Sequence, residues 1–147
     1  MPITFTNNWK NILDKLESII KSEFKNSLKV CIGADVSGMS QYIELEPIGT
    51  NLLSIHKHGE EREFSIDMSY NFKDANIRSK ALDHILRYVS RIESLIHDNL
   101  IINYTNENGT TEKIYNCRIE STNLNKISNG EYLVNFDFKC IHFGNRS

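Results

Sequence analysis

The chain has 147 residues, of which 39% are hydrophobic and 24% are charged, and its formal net charge at pH 7 is -2. This size and composition predict one globular domain spanning residues 1–147. The balanced charge argues against tight phosphate binding over the whole surface. No apolar run reaches the roughly 20 residues that cross a bilayer, and the first ten residues lack the pattern of a secretory signal.

The first predicted element is an amphipathic helix over residues 8–24. Its apolar residues recur at steps of three and four along a narrow stripe: Trp9, Ile12, Leu13, Leu16, Ile19, Ile20 and Phe24. A narrow stripe indicates a helix that lies on a sheet with its back in water. Thr6 or Asn7 is placed to cap its start by accepting a backbone N–H.

Two short strands are predicted next, at residues 28–33 (LKVCIG) and 41–46 (QYIELE). Pro47 is expected to end the second strand because proline has no N–H to donate to a neighbouring strand. Residues 51–58 (NLLSIHKH) are predicted to extend a hairpin with Gly59 at its turn.

Residues 62–72 (REFSIDMSYNF) alternate strictly between apolar and polar side chains. This pattern predicts a strand with one apolar face and one polar face. The polar face holds Glu63, Ser65, Asp67, Ser69 and Asn71. It is compatible with a solvent surface, a catalytic floor or the wall of a larger assembly.

A second helix is predicted over residues 75–99, with Asp74 as its N-cap and a broad apolar side. Beside that apolar side, Lys80, His84, Arg87 and Arg91 fall within a stripe of roughly 60°. One interpretation is a solvated helix face with an Asp83–Arg87 ion pair. The other is an interface, because arginine is enriched where protein surfaces meet.

Two more strands are predicted to finish the chain, around residues 112–121 and 131–143, with residues 123–131 as a turn region. Asn129-Gly130 is the strongest local hairpin signal. Tyr115, Cys117 and Ile119 are expected to share a face, as are Tyr132, Val134, Phe136, Phe138 and Cys140. The order of elements predicts an α+β fold, with a mainly antiparallel sheet and two helices packed on its apolar face.

The sequence contains no nucleophile elbow, phosphate-binding loop, dinucleotide fingerprint or zinc-protease motif. The nearest metal candidate is the pair His56 and His58, followed by Glu60 and Glu61. Two such histidines on a strand share a face, but a site also needs a third ligand and a second shell, and an exposed histidine pair in a loop is far commoner. The three cysteines, Cys31, Cys117 and Cys140, are predicted to be buried reduced thiols. Neither an enzyme activity nor a metal or other cofactor is therefore predicted.

Four segments read together resemble the small head-to-tail joining proteins of tailed bacteriophages, in particular the tail terminator (tail completion) group. They are the helix NNWKNILDKLESIIKSEF, the strand REFSIDMSYNF, the helix SKALDHILRYVSRIESLIHDN and the ending NCRIESTNLN…GEYLVNFDFKCIHFGN. The resemblance covers most of the chain and rests on its size, on the order of its elements and on the amino-acid sequences of these segments. It implies an α+β virion subunit in the tail or neck, assembled in the host cytoplasm.

Members of this group form a ring, usually a hexamer, at the head-proximal end of the tail tube. The ring stops tube growth and docks on the head connector, so the implied partners are further copies of the chain, the tube protein and the connector. DNA passes through without specific binding. In such a ring, the polar face of residues 62–72 is a candidate for the channel or inner-rim surface, and an ordinary outer solvent face is the alternative. The charge of the basic stripe makes it a candidate contact for an acidic neighbouring subunit or neck protein. Another neck component, such as a connector or stopper, and a small ligand-binding or enzymatic domain are the alternatives.

Overall fold

The computed structural model describes residues 6–33, 40–57, 59–73, 81–106, 108–128 and 130–144. The elements are α1 (Asn8–Phe24), a 3-10 turn (Lys25–Ser27), β1 (Lys29–Ile32), β2 (Gln41–His56), β3 (Gly59–Lys73), α2 (Ala81–His97), β4 (Ile102–Thr105), β5 (Thr111–Ser128) and β6 (Glu131–Gly144). The predicted cap Asp74, the predicted first turn of the second helix and Lys80 lie outside the described residues. Neither described helix has the length and apolar character to cross a membrane.

The six strands form one sheet in the order β1-β2-β3-β6-β5-β4. Strand β1 runs parallel to β2, and every other neighbouring pair is antiparallel. The sheet curls into a half-barrel. Together with the two helices α1 and α2, it confirms the predicted α+β class. The two longest hairpins, β2–β3 and β5–β6, are joined side by side through β3 and β6. The centre of the sheet therefore pairs strands that are far apart in the sequence.

The core lies between the two helices and one face of the sheet. Alternate residues of β3 and β6 point into it, and Ile66, Met68, Tyr70, Phe136 and Phe138 are fully buried. The alternation predicted for both strands is confirmed. Helix α1 supplies the buried residues Ile12, Leu13, Leu16, Ile20 and Phe24, and α2 supplies Ala81, Ile85, Val89, Ile92 and Ile96. Burial of each large apolar side chain contributes about 1.5–3 kcal/mol.

Two local signals set the ends of the elements. The side chain of Asn7 accepts a hydrogen bond from the backbone N–H of Lys10 at 3.1 Å, so the predicted cap of α1 is confirmed at Asn7. Between β5 and β6, Ser128 pairs with Glu131 across a two-residue turn in which Gly130 has a φ of 80°. Glycine takes this left-handed conformation without strain, so the predicted hairpin is confirmed at Gly130, while Asn129 lies outside the described residues.

The predicted end of a strand at Pro47 is wrong. Strand β2 continues to His56, and the pairing with β3 shifts register between Pro47 and Gly49 and again between Leu52 and Ser54. Strand β1 pairs only with Tyr42–Leu45, so no described strand lies on the outer side of Pro47. A missing N–H is tolerated at such an edge, and bulges absorb the change in register.

The C-terminal half departs from the prediction in four ways. Strand β5 continues to Ser128 through the predicted turn region, and the short strand β4 was not predicted. A bulge lies between Tyr115 and Arg118, where Asn116 has a φ of 53°. The extra residue turns Tyr115 away from the face that buries Cys117. On α2, the apolar periodicity of the sequence predicts that Leu82 belongs to the apolar side of the helix, but it is 45% exposed.

Candidate functional site

The face of the sheet opposite the core is built from polar residues of four neighbouring strands, and we call it the polar face. It contains Glu44 and Glu46 on β2; Glu61, Glu63, Ser65, Asp67, Ser69 and Asn71 on β3; Asn135, Asp137 and Lys139 on β6; and Tyr115, Arg118, Ser121 and Asn123 on β5. All five predicted β3 residues lie on it and are half-buried between neighbouring side chains. Leu133 and Ile141 are also on this side, toward its two ends.

Three carboxylates form a row across the middle of the polar face. Glu46 is paired with Asp67, and Asp67 with Asp137, on successive strands. Asn135 donates from Nδ2 to both carboxylate oxygens of Asp67, at 3.3 and 3.4 Å, and Ser69 donates from Oγ at 3.2 Å. Like charges directly opposite one another destabilise a sheet, so this row opposes the stability of the fold.

Two cations in the middle of the polar face, Arg118 and Lys139, are held by carboxylates. Arg118 donates to Glu63 at 2.9 Å and to Glu120 at 2.8 Å, and Lys139 lies 3.6 Å from Glu120. Burial alone lowers the pKa of Arg118, but its hydrogen bonds to Glu63 and Glu120 raise it overall. The hydrogen bond from Arg118 lowers the pKa of Glu120. Neither cation is therefore left to attract a phosphate backbone, and the remaining carboxylates give the face a negative charge.

Tyr115 anchors one end of the polar face by donating its hydroxyl to Glu61. Burial, together with this hydrogen bond, raises the pKa of Tyr115 to about 12. Tyr115→Phe is expected to lower the free energy of unfolding at neutral pH by about 1 kcal/mol. Because the folded-state pKa lies above the unfolded value of about 10, the advantage of the wild type is complete below about pH 10 and is lost as the pH rises through about 12.

Denaturant titrations of wild type and Tyr115→Phe at a series of alkaline pH values measure this difference. A gap between the two proteins that stays constant up to pH 12 would show that the Tyr115 proton does not contribute to stability.

Two residues of the basic stripe of α2, His84 and Arg91, contact other elements of the fold. Arg91 donates from Nε to Glu23 Oε1 and from Nη2 to the Glu23 carbonyl, both at 3.0 Å, and its guanidinium lies 4.4 Å from the centre of the Phe24 ring. His84 is half-buried, with Nε2 3.0 Å from Oε1 of Gln41. These contacts join α2 to α1 and β2, which is a structural role that the stripe interpretation did not include.

Arg87 is the exposed member of the stripe that makes no ion pair or hydrogen bond with the described residues. The predicted Asp83–Arg87 ion pair does not form among them. With His84, Tyr88 and Arg91, Arg87 lines an open depression of about 300 Å³. The structure therefore brings the three described stripe residues together around one surface hollow, and Lys80 lies outside the described residues.

Single charge reversals separate the two roles of the stripe. Arg91→Glu is expected to lower the free energy of unfolding by about 1 kcal/mol, because it sets a carboxylate against Glu23 and removes the contact with Phe24. Arg87→Glu is expected to change it by less than about 0.5 kcal/mol. Denaturant titration of the two variants measures both effects, and equal stabilities would contradict the structural role of Arg91.

A buried polar cluster lies at the same end of the sheet as Tyr115, on the core side of β6. His142, 4% exposed, lies 3.3 Å from Glu112, and Asn106 donates to the same carboxylate at 3.1 Å. Asn106 Oδ1 also accepts from the backbone N–H groups of Asn108 and Thr110. The cluster thereby fixes the connection between β4 and β5, and its histidine and carboxylate are committed to that contact.

The three cysteines are buried, as predicted. A hydrogen bond with Cys117, together with burial, raises the pKa of Cys140, and burial raises that of Cys31. A raised pKa disfavours the thiolate that a nucleophile or metal ligand needs. Their reduced state in the assembled protein stays a prediction.

The metal candidate at His56 and His58 gains no support from the fold. His56 is exposed, and His58 lies outside the described residues. Within the described ranges, no three or more His, Cys, Asp or Glu side chains are grouped to hold a metal ion.

Most of the polar face was not predicted from the sequence. The segment NFDFK in β6 contains Asn135, Asp137 and Lys139 alternating with phenylalanines, and this signal could have identified them. Their position beside Ser69, Asp67 and Ser65 follows from the pairing of β3 with β6, which no local pattern reveals. Comparisons with protein-family models and with curated protein sequences found no match for this chain.

Proposed function

We propose that this chain is a structural subunit of a bacteriophage virion that forms a ring at the head-proximal end of the tail tube. The ring ends tube growth and joins the tail to the head connector. The observation that supports this proposal most is the polar face, which extends the acidic character of one strand across the middle of the sheet.

An assembly through which DNA slides must avoid holding phosphates. Lysine and arginine bind DNA by releasing counterions, whereas carboxylates leave those counterions on the DNA. The polar face has Glu46, Asp67 and Asp137 in one row, and its cations Arg118 and Lys139 face carboxylates. This charge arrangement suits a channel wall that DNA passes without specific binding.

The helix side of the subunit suits contacts with protein partners. Arg87 is exposed beside the depression on α2, on the side of the subunit opposite the polar face. In a ring, each subunit shows different surfaces to its two neighbours. Contact between the basic stripe and an acidic surface would fix this orientation, and the hexamer, the tube protein and the head connector are the proposed partners. The proposal includes no cofactor and no enzymatic step.

The test is a tube-assembly reaction imaged by negative-stain electron microscopy. Tail tube subunits are polymerised with and without the purified chain. We expect an extra ring density at one end of each tube, and shorter tubes as the chain is added in increasing amounts. Arg87→Glu is expected to weaken ring formation, most strongly at low salt, where screening is least.

Two other results would redirect the proposal. A ring that binds heads but leaves tube growth unchanged would favour a stopper or connector in the neck. A monomer that leaves tubes unchanged, and gains thermal stability from a small molecule, would favour a ligand-binding domain.

A further inference from the structure

Each edge of the sheet is covered along only part of its length. Strand β1 pairs with Tyr42–Leu45, so the remainder of β2 to His56 has β3 as its single partner among the described residues. On the opposite edge, β4 pairs with Thr111–Ile114, and the backbone N–H of Cys117 donates to the Leu100 carbonyl. From Arg118 to Ser128, β5 is paired only with β6 among the described residues. Two long open edges therefore remain, one on each side of the described sheet.

The open edges lack the charges that usually protect such strands. No residue from Gly49 to Ile55 is charged, and Glu120 is the one charged residue from Ile119 to Asn125. Both edges expose large apolar side chains: Ile48, Leu52, Leu53 and Ile55 on β2, and Leu124 and Ile127 on β5. Monomeric proteins commonly place lysine, proline or inward charges along an exposed edge to prevent pairing. Here Pro47 and Lys126 stand only at the margins.

Three of these exposed apolar residues are also positioned on a shared face. Leu52 pairs with Arg62, and Ile55 with Glu60, in the alternating set of β3 that includes Phe64 and faces the helices. Leu124 pairs with Val134, which is buried on that same face. Side-by-side joining of the two edges would therefore continue one apolar surface from one subunit to the next.

The open edges are placed diagonally on the sheet. Measured along β3, the segment Gly49–Ile55 lies beside Glu60–Ser65, whereas Ser121–Lys126 of β5 falls level with Asp67–Phe72. The offset between them is seven residues of β3, or about 23 Å at about 3.3 Å per residue. Joining them shifts each subunit along the strand direction, and closed barrels of tilted strands need such a stagger.

We infer that the open edge of β2 in one subunit pairs with the open edge of β5 in the next copy of this chain. This inference rests on the proposed ring function and specifies how the ring is joined. Neighbouring strands from β2 through β3 and β6 to β5 alternate in direction. Rotation about a ring axis preserves strand direction, so β2 of the neighbour meets β5 in the antiparallel arrangement found inside the sheet.

A second copy is favoured over an unrelated strand because each copy supplies both edges. The β2 edge and the β5 edge differ in sequence, so their contact is heterologous and can be repeated from subunit to subunit until the ring closes. Pairing of two β2 edges, by contrast, would give a two-fold dimer that leaves the β5 edges open.

The test uses one lysine on each edge. Leu52→Lys blocks the β2 edge and Leu124→Lys blocks the β5 edge, at positions that are 45% and 43% exposed. Each variant alone is expected to be a folded monomer by light scattering and circular dichroism. An equimolar mixture retains one intact β2 edge and one intact β5 edge, so it is expected to form dimers and no rings. Leu86→Lys, on α2 and 44% exposed, is the matched control and should assemble as the wild type does.

Three outcomes would overturn the edge pairing. They are rings formed by both edge variants, assembly lost in only one variant, and a wild-type chain that stays monomeric at its highest soluble concentration. The tube-assembly reaction is read separately. Edge variants that still form rings and cap tubes would contradict the edge pairing and leave the proposed function intact. Wild-type rings that never cap tubes would contradict the proposed function and leave the edge pairing intact.

Discussion

Replacing Phe136 with aspartate is expected to abolish the cooperative unfolding transition of this chain. Phe136 is fully buried in β6, opposite Met68 of β3, at the centre of the sheet. The substitution removes a large apolar side chain at a cost of about 3–5 kcal/mol and adds a carboxyl group that must be buried without a partner. The total is comparable with the whole stability of a small domain, about 5–15 kcal/mol. Near-ultraviolet circular dichroism and thermal denaturation measure the loss.

The matched control is Ser65→Asp, which adds the same charge to the neighbouring strand on the opposite side of the sheet. Ser65 is half-buried on the polar face and is paired with Lys139. A carboxylate there gains a nearby cation, so the fold should persist with a change below about 1 kcal/mol. A folded Phe136→Asp protein, or an unfolded Ser65→Asp protein, would mean that the two faces of the sheet are assigned to the wrong sides.

Those faces could be predicted because each of the strands β3 and β6 carries a strict period of two. Phe64 to Phe72 and Val134 to Cys140 alternate with polar residues, so the burial of one side follows from chain geometry alone. Helix α1 was predicted to its observed bounds for a similar reason, since its apolar stripe has a period near 3.6 and Asn7 provides the cap.

Other features depend on contacts that no local pattern contains. Pro47 reads as a strand end, but it stays in β2 because the edge beside it is uncovered by any described strand. The bulge at Asn116 places Tyr115 and Cys117 on opposite faces of the sheet. The position of one extra residue in a strand cannot be predicted from the amino-acid composition of that strand. The pairing of β3 with β6 is a contact between strands far apart in the sequence. It creates the row of Glu46, Asp67 and Asp137 from residues on three separate strands.

That row links the stability of the subunit to its proposed function. Three adjacent carboxylates repel one another, and Asn135 and Ser69 donate hydrogen bonds to the central one, Asp67. A sheet selected for stability alone would place opposite charges on neighbouring strands. In the proposed ring, a negative channel wall that repels phosphates would be a functional reason to keep the row despite its cost.

Reversing the outer charges of this row is expected to convert the proposed channel into a DNA-binding surface. Glu46→Lys combined with Asp137→Lys leaves Asp67 between two cations, so repulsion across the strands becomes attraction and the fold should be retained. Preassembled rings of the variant should hold linear duplex DNA, with an affinity that falls steeply as salt increases. Wild-type rings should not. The charge-matched control is Asp83→Lys with Asp98→Lys, at exposed positions on α2 and just beyond its end.

The topology of the DNA distinguishes a channel from an outer surface. A preformed ring can thread a linear duplex from its end, whereas a covalently closed circle has no end to enter. The variant with lysine at 46 and 137 should therefore retain linear DNA and release circular DNA of the same length, as measured by gel mobility at low salt. The control variant should treat both forms alike. If the polar-face variant binds circles as well as it binds linear DNA, the polar face lies on the outside of the assembly, and its carboxylates serve another purpose than lining a path for DNA.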